Sequence, residues 1–236
     1  VTPDELWLST ICTRNKFAIT DIQLQQLSRY RDLLLEWNGK INLISRKDQE
    51  HAWDTHILLS VAHLFMARFP DDAKILDLGT GGGLPGIPLS ILLPGSTFTL
   101  VDSIRKKTTA VTAMAEALGL TNVTVINARA EEINHLPQHR NIYDIVTARS
   151  VTDLTNLLTW ALPFLRRRPG AETAPGPAGI PLVRSSLVTL KGMEIDTELA
   201  AAKKAFPRAS IESRPLVFKG SEALINTDKQ LIIAHL

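Results

Sequence analysis

Apolar residues recur in two different rhythms along the 236-residue chain. Between positions 20 and 38 they return at helical intervals, with Leu27, Tyr30, Leu34 and Trp37 on one stripe. Thr20 and Gln23 have capping-box spacing and Gly39 follows, so a helix with a core-facing stripe is expected over 20–38. A second helix is expected from about Asp48, carrying Trp53, Ile57, Val61, Leu64 and Phe65 to a stop at Pro70. From residue 73 the rhythm changes to short apolar runs alternating with longer helical stretches, the pattern of parallel βα units. Strands are expected at 73–78, 97–101, 123–127, 143–147 and 186–190, with helices over 84–92, 104–118 and 152–165. A helix over 194–205 and strands at 215–218 and 230–235 follow. With no crossover helix between those last two strands, they are expected to form an antiparallel hairpin. The division expected is a helical cap over 1–70 and an α/β domain over 71–236. The Pro- and Gly-rich stretch 168–181 is expected to be a flexible loop.

Composition changes this picture only at the margins. The 44% hydrophobic content is that of a globular chain, and no apolar run approaches the roughly 20 residues that cross a bilayer. The first 20 residues lack the basic and apolar regions of a secretory signal, so a cytoplasmic protein is expected. A lone cysteine, Cys12, leaves neither an internal disulfide nor a multi-cysteine metal site, and no metal is expected. A net charge of +2 does not itself indicate a nucleic-acid partner. The basic clusters Arg46-Lys47, Arg105-Lys106-Lys107 and Arg166-Arg167-Arg168 do so if they meet on one face.

Candidate chemistry begins at the turn from Asp77 to Gly86, which follows an apolar strand and precedes a helix. There a backbone turns sharply and approaches a ligand closely. Gly81, Gly83 and Gly86 satisfy the dinucleotide spacing G-x-G-x-x-G, so an NAD-dependent oxidoreductase is an open alternative. Asp77, two residues before Gly79, argues against it, because a carboxylate there repels a pyrophosphate and suits the cationic ligand S-adenosylmethionine. Asp102 ends the next strand, where a carboxylate accepts from ribose hydroxyls. Ala130 and Glu131 follow the third strand, beside the adenine position. Arg149 follows the fourth, close to the transferable methyl, where an arginine holds the cofactor carboxylate or an RNA phosphate.

Elimination narrows the reaction. Methylation at cytosine C5 needs a cysteine nucleophile, and Cys12 precedes the sheet. Exocyclic amino methylation shows an Asp/Asn-Pro-Pro-aromatic run where this chain has Ala148-Arg149-Ser150-Val151. A ring nitrogen such as guanine N7 presents its lone pair at neutral pH, so in-line transfer needs alignment and no general base, and no catalytic side chain is assigned.

Over nearly its whole length the chain resembles the bacterial 16S ribosomal RNA guanine-N7 methyltransferases, the glucose-inhibited division protein B family. The resemblance rests on the runs Trp37 to Leu43, His56 to Leu58, Gly79 to Pro88, Leu100 to Ser103, Arg129 to Glu132, Ala148-Arg149 and Leu190 to Gly192. Its most specific part is Gly83-Leu84-Pro85-Gly86-Ile87-Pro88. The fold it implies is α/β, a class I S-adenosylmethionine-dependent methyltransferase. Such a fold is Rossmann-like, with a mostly parallel seven-stranded sheet, a C-terminal antiparallel hairpin and an N-terminal helical extension. The cofactor contacts it implies are Gly79, Leu84, Ala130, Glu131 and Arg149; Gly81 and Asp102 are added on the physical argument above. The partner it implies is 16S rRNA or the small ribosomal subunit, with a guanine near the decoding region as target. A monomer without membrane contact is expected. A non-catalytic RNA-binding protein with the same fold is the second alternative. The chain departs from the family pattern at Leu59, where an acidic residue is usual, at Lys229, where arginine is common, and in the apparent insertion 168–181. These departures bear on the RNA face. His56 is read as a packed helix residue.

Overall fold

The computed structural model describes residues 2–166, 180–182, 185–192, 194–224 and 228–235. Helix α1 (Pro3–Arg14) begins with a capping box between Thr2 and Glu5 and with Pro3 in its first turn. Apolar periodicity alone does not announce this helix. Helix α2 (Asp21–Asn38) has the expected capping box, with Thr20 and Gln23 exchanging backbone-to-side-chain bonds at 3.0 and 3.2 Å. Its buried stripe is Leu24, Leu27, Tyr30, Leu33, Leu34 and Asn38. Trp37 is only half-buried and lies under the Lys40 ammonium, 4.8 Å from the ring centre. The second expected helix is divided into a 3₁₀ turn (Arg46–Asp48), a π-helical stretch (Trp53–Leu58) and α3 (Leu59–Met66). Its five expected apolar positions are all buried.

Strand β1 (Ala67–Arg68) ends this helical region before Pro70. The sheet elements then alternate: β2 (Lys74–Leu78), α4 (Gly86–Leu92), β3 (Thr97–Asp102), α5 (Arg105–Ala117), β4 (Val123–Asn127), the short α6 (Ala130–Ile133), β5 (Ile145–Arg149) and α7 (Leu154–Ala161). After them come β6 (Ile180–Pro181), β7 (Ser186–Gly192), α8 (Asp196–Ala205), β8 (Ser210–Pro215) and β9 (Lys229–His235). Seven strands form one sheet in the order β4-β3-β2-β5-β7-β9-β8. The first five run parallel, and β9 is antiparallel to both β7 and β8. The chain reverses its direction across the sheet at β2, so the carboxyl ends of β2 and β5 flank a crevice where ligands bind in open α/β sheets.

Several expected boundaries move, each for a physical reason. The fourth sheet strand starts at Ile145, because the Asp144 carboxylate accepts from the Lys74 amide at 2.8 Å and so caps the amino ends of β2 and β5. The first hairpin strand is 210–215, ahead of the apolar 215–218. It is the edge strand, where Glu212 and Arg214 protect an exposed ladder, and its polarity masks it. The helices expected over 84–92 and 152–165 are shorter, Gly86–Leu92 and Leu154–Ala161. Of the stretch 168–181, residues 168–179 lie outside the described residues. Ile180 and Pro181 pair in parallel with Ala67 and Arg68.

One hydrophobic cluster runs from Leu8, Leu27 and Leu34 through Ile57 and Val61 to Ile75 and Phe98. A second fills the other sheet face between Leu76, Val146 and Leu187 and helices α7 and α8. Among the described residues no helix is long and apolar enough to cross a membrane.

Arg166, the described residue of the third basic cluster, does not lie at the sheet edge that Lys107 borders. Arg166 lies at the amino ends of the strands, its Nε 2.7 Å from the buried Asp144 carboxylate. Arg167 and Arg168 lie outside the described residues. Arg166→Ala removes a countercharge from a buried acid, and a loss of about 1–3 kcal/mol is expected in urea unfolding. Ligand affinity at the opposite strand ends should not change in the same variant.

Candidate active site

The glycine turn is built around Asp77, the penultimate residue of β2. Its carboxylate is fully buried and accepts from the Thr80 hydroxyl at 2.6 Å, the Gly86 amide at 3.1 Å and the Thr147 hydroxyl at 3.1 Å. Burial pushes its pKa up to about 6, against the opposing effect of those hydrogen bonds and of the nearby Arg149 charge. Asp77 therefore faces inward and braces the turn, and it lines neither of the cavities described below. The sequence-based assignment of its charge to a bound cation is corrected accordingly.

The glycines follow from this arrangement. A Cβ on Gly86 would lie 2.3 Å from Leu100 Cδ2 and 2.7 Å from Asp77 Oδ2. Gly79 has φ of +66°, and a Cβ there would meet Val151 at 2.7 Å. The amides that a dinucleotide's pyrophosphate would use are taken: Gly81 donates to Asp102 at 3.0 Å and Gly86 to Asp77. Both partners are carboxylates, which repel a dianion.

Two hollows open at the carboxyl edge of the sheet and meet at Gly79, Lys107 and Ser150, which line both. The smaller, about 260 Å³, has apolar walls from Leu78, Val101, Ala128, Val151 and Trp160, with Asp102 and Glu131 and the basic Lys107 and Arg129 also bordering it. Asp102 is held by the amides of Gly81 and of Ile104, the latter at 2.9 Å. The larger, about 540 Å³, lies between the turn and the helical region and is bordered by Leu43, Asp48, His56, Leu84, Arg149 and Lys229, among others. Of the residues singled out in the sequence, Gly79, Asp102, Ala130 and Glu131 border the smaller hollow. Gly79, Gly81, Leu84 and Arg149 border the larger.

Arg149 joins the sheet to the helical region. At the end of β5, just before Ser150 turns the chain at φ of +57°, its Nη2 donates to His56 Nδ1 at 3.0 Å and its Nη1 to the Thr55 carbonyl at 3.4 Å. Since guanidinium only donates, His56 Nδ1 must accept, and the neutral ring carries its proton on Nε2. Burial, then the Arg149 charge, lowers the His56 pKa to about 4, opposed by Asp48. His63, fully buried, is lowered to about 4 as well, chiefly by burial. Its Nδ1 faces the Leu59 and Ser60 carbonyls at 3.1 and 3.0 Å, so it carries the opposite tautomer. The reading of His56 as a packed, hydrogen-bonded residue agrees with this geometry, and its Arg149 contact adds a link to the site.

Sequence reasoning missed four features here. Asp48 borders the larger hollow. Asn38 is buried and accepts from the Leu43 and Ile44 amides at 2.8 and 2.9 Å, which delivers that segment over the turn. Tyr30, read only as core, donates its hydroxyl to the Gly82 carbonyl at 2.8 Å. Lys191 borders the larger hollow, with its ammonium engaged by the Thr152 carbonyl and by Glu198. Cys12 is buried in α1, away from both hollows, and burial raises its thiol to about 12.

The sheet order and the cleft at its carboxyl edge define an α/β protein of the S-adenosylmethionine-dependent methyltransferase fold. Solved structures agree. A SAM-dependent methyltransferase from Aquifex aeolicus matches with a TM-score of 0.53 at 13% identity, covering 80% of this chain and 94% of that one. M. jannaschii TYW2 in complex with AdoMet matches with 0.53 at 12% identity, covering 76% and 74%. The chain belongs to the GidB family, described as rRNA small subunit methyltransferase G, whose profile matches residues 23–171. It is 36% identical to the ribosomal RNA small subunit methyltransferase G of Pelodictyon phaeoclathratiforme, over 98% of this chain and 92% of that protein. The protein of the same name from Chlorobium luteolum is 36% identical over 96% and 87%. That from Lactococcus lactis subsp. cremoris is 34% identical over 87% and 79%.

Two measurements check this geometry. Gly86→Ala should lower stability by about 1–3 kcal/mol in denaturant titration through overpacking against Leu100 and Asp77. Gly95→Ala, with nothing within 4 Å of its added methyl, is the control. The depressed histidines make the unfolded chain bind more protons than the native one between pH 6.5 and about 4, so stability should fall as pH is lowered through that window. Asp77, raised to about 6, acts in the opposite sense between about 4 and 6 and offsets one of the two histidines. The net excess in the unfolded chain is about one proton through the middle of this window, so thermal midpoints should fall steadily as pH is lowered from about 6.5 to about 4.5.

Proposed function

We propose that this protein transfers a methyl group from S-adenosylmethionine to N7 of a guanine in the small-subunit ribosomal RNA. The observation that carries this reading is the meeting of two hollows at Gly79, Lys107 and Ser150, the smaller with the strand-end carboxylate Asp102 beside apolar walls and the larger bordered by Arg149, Lys191 and Lys229. The smaller fits an adenosine: its apolar walls suit a flat purine, and Asp102 keeps lone pairs free for ribose hydroxyls after accepting from two amides. Glu131 and Ala130 border the purine end. Gly79 and Gly81 present bare backbone beside the ligand, and Leu84 closes the turn over it. Arg149, anchored by His56 and Thr55, keeps further donors for a carboxylate or phosphate.

When bound, the cofactor supplies a sulfonium methyl that the base nitrogen attacks in line. The chain's own task is alignment and exclusion of water. No side chain has to remove a proton from N7, so a neutral His56 whose Nδ1 is occupied by Arg149 suits the reaction. Arg46, Lys47, Lys107 and Lys229 lie around the larger hollow or on the segment leading to it, where they would hold phosphates of the RNA. In this reading residues 1–70 form a cap over a methyltransferase domain of 71–236. One chain supplies both hollows, which supports action as a monomer, and the rRNA substrate supports a cytoplasmic location.

Asp102→Ala should weaken binding of the demethylated cofactor about ten- to a hundredfold, as loss of charge-assisted hydrogen bonds does, in calorimetric titration. The parent protein with labelled cofactor and unmodified small subunits should yield 7-methylguanine in digested RNA by mass spectrometry. Methylation at another atom, or an Asp102→Ala affinity equal to the parent's, would contradict the reading.

A further inference from the structure

Asp48 is an acid placed where an RNA-binding surface has least use for one. It borders the larger hollow on the turn that also carries exposed Arg46 and Lys47. A carboxylate there repels the phosphates that its neighbours attract. The side chain is 40% exposed, and its Oδ2 lies 3.8 Å from Nε2 of His56. That Nε2 is buried without a hydrogen-bond partner, on a side chain 9% exposed. Because Arg149 holds Nδ1 as an acceptor, the proton sits on Nε2, the nitrogen nearest Asp48. Arg149, His56 and Asp48 thus form a line from the end of β5 to the mouth of the hollow.

We propose that Asp48 selects the target base by accepting from the N1–H and N2–H₂ groups of guanine, with His56 as the positioning residue that orients its carboxylate. This assignment rests on the guanine reading above. Of the four RNA bases only guanine presents two adjacent donors on one edge, the complement of a carboxylate. N7 lies on the opposite edge of the purine. A base gripped by Asp48 through N1 and N2 therefore turns its N7 lone pair away from the Arg46–Asp48 turn, into the hollow toward the glycine turn. Adenine offers no N1–H, and its N7 would not be held in this orientation.

The test compares reconstituted small subunits carrying guanosine or inosine at the target position; inosine keeps N1–H, O6 and N7 and lacks only the 2-amino group. The parent should lose about tenfold in kcat/KM on inosine, mostly through KM, the scale of one hydrogen bond to a charged group. Asp48→Asn should fall on guanosine to about the parent's inosine level and no longer distinguish the two, with unchanged affinity for the demethylated cofactor. His56→Gln, which retains a donor, should keep most of the guanosine preference, and His56→Leu should lose it. Equal parent rates on guanosine and inosine would overturn the assignment, as would an Asp48→Asn variant that discriminates like the parent or loses cofactor affinity. If Asp48→Asn is inactive with cofactor affinity intact, the parent's guanosine-to-inosine ratio decides. No methylation of guanosine subunits by the parent would instead overturn the functional reading beneath it.

Discussion

A single buried carboxylate holds the architecture of the cleft together. Asp77 accepts hydrogen bonds from Thr80 in the turn, Gly86 at the start of α4 and Thr147 on the neighbouring strand β5. Three chain segments are thereby fixed to one group at the sheet's carboxyl edge. The arrangement is costly, as the upward shift of the Asp77 pKa records, and the three donors offset the desolvation. It also dictates composition: position 86 has no room for a side chain because the carboxylate and Leu100 already occupy that space.

From this braced turn the helical region is tied down by contacts that are individually small and mutually consistent. Tyr30 reaches the Gly82 carbonyl, Leu34 and Leu43 sit where a side chain on Gly82 would go, and Arg149 crosses to His56 and Thr55. The π-helical winding of Trp53–Leu58 places Thr55 and His56 side by side at that crossing, and such widened turns recur at functional sites. The larger hollow exists because helices and sheet meet along this line.

Charges that look alike along the chain serve different ends in space. Arg166 compensates a buried acid at the amino edge, Lys191 bridges a carbonyl and Glu198, and Lys107 borders the junction of both hollows. Asp77, Asp102 and Asp48 likewise divide into a brace, a rim group held by two amides and a mouth group near a histidine. Burial and neighbours, set by the fold, separate them.

The sequence by itself determined the parallel βα core, the capped helix over 20–38 and the glycine turn, because these depend on local periodicity, capping and backbone freedom. It also placed Gly79, Gly81, Asp102, Ala130, Glu131 and Arg149 at one sheet edge, since residues that follow the ends of parallel strands must gather there, while Leu84 came from the family resemblance. Helix α1 was not read from the sequence, because its apolar residues follow no clear helical period, and the edge strand β8 was hidden by the polarity that protects it. The tertiary structure alone decided that Asp77 points inward, that Arg166 lies away from the sheet edge that Lys107 borders and that His56 holds Arg149. Each of these depends on partners tens of residues away, brought together by packing, and no local pattern encodes which way a side chain turns when they meet.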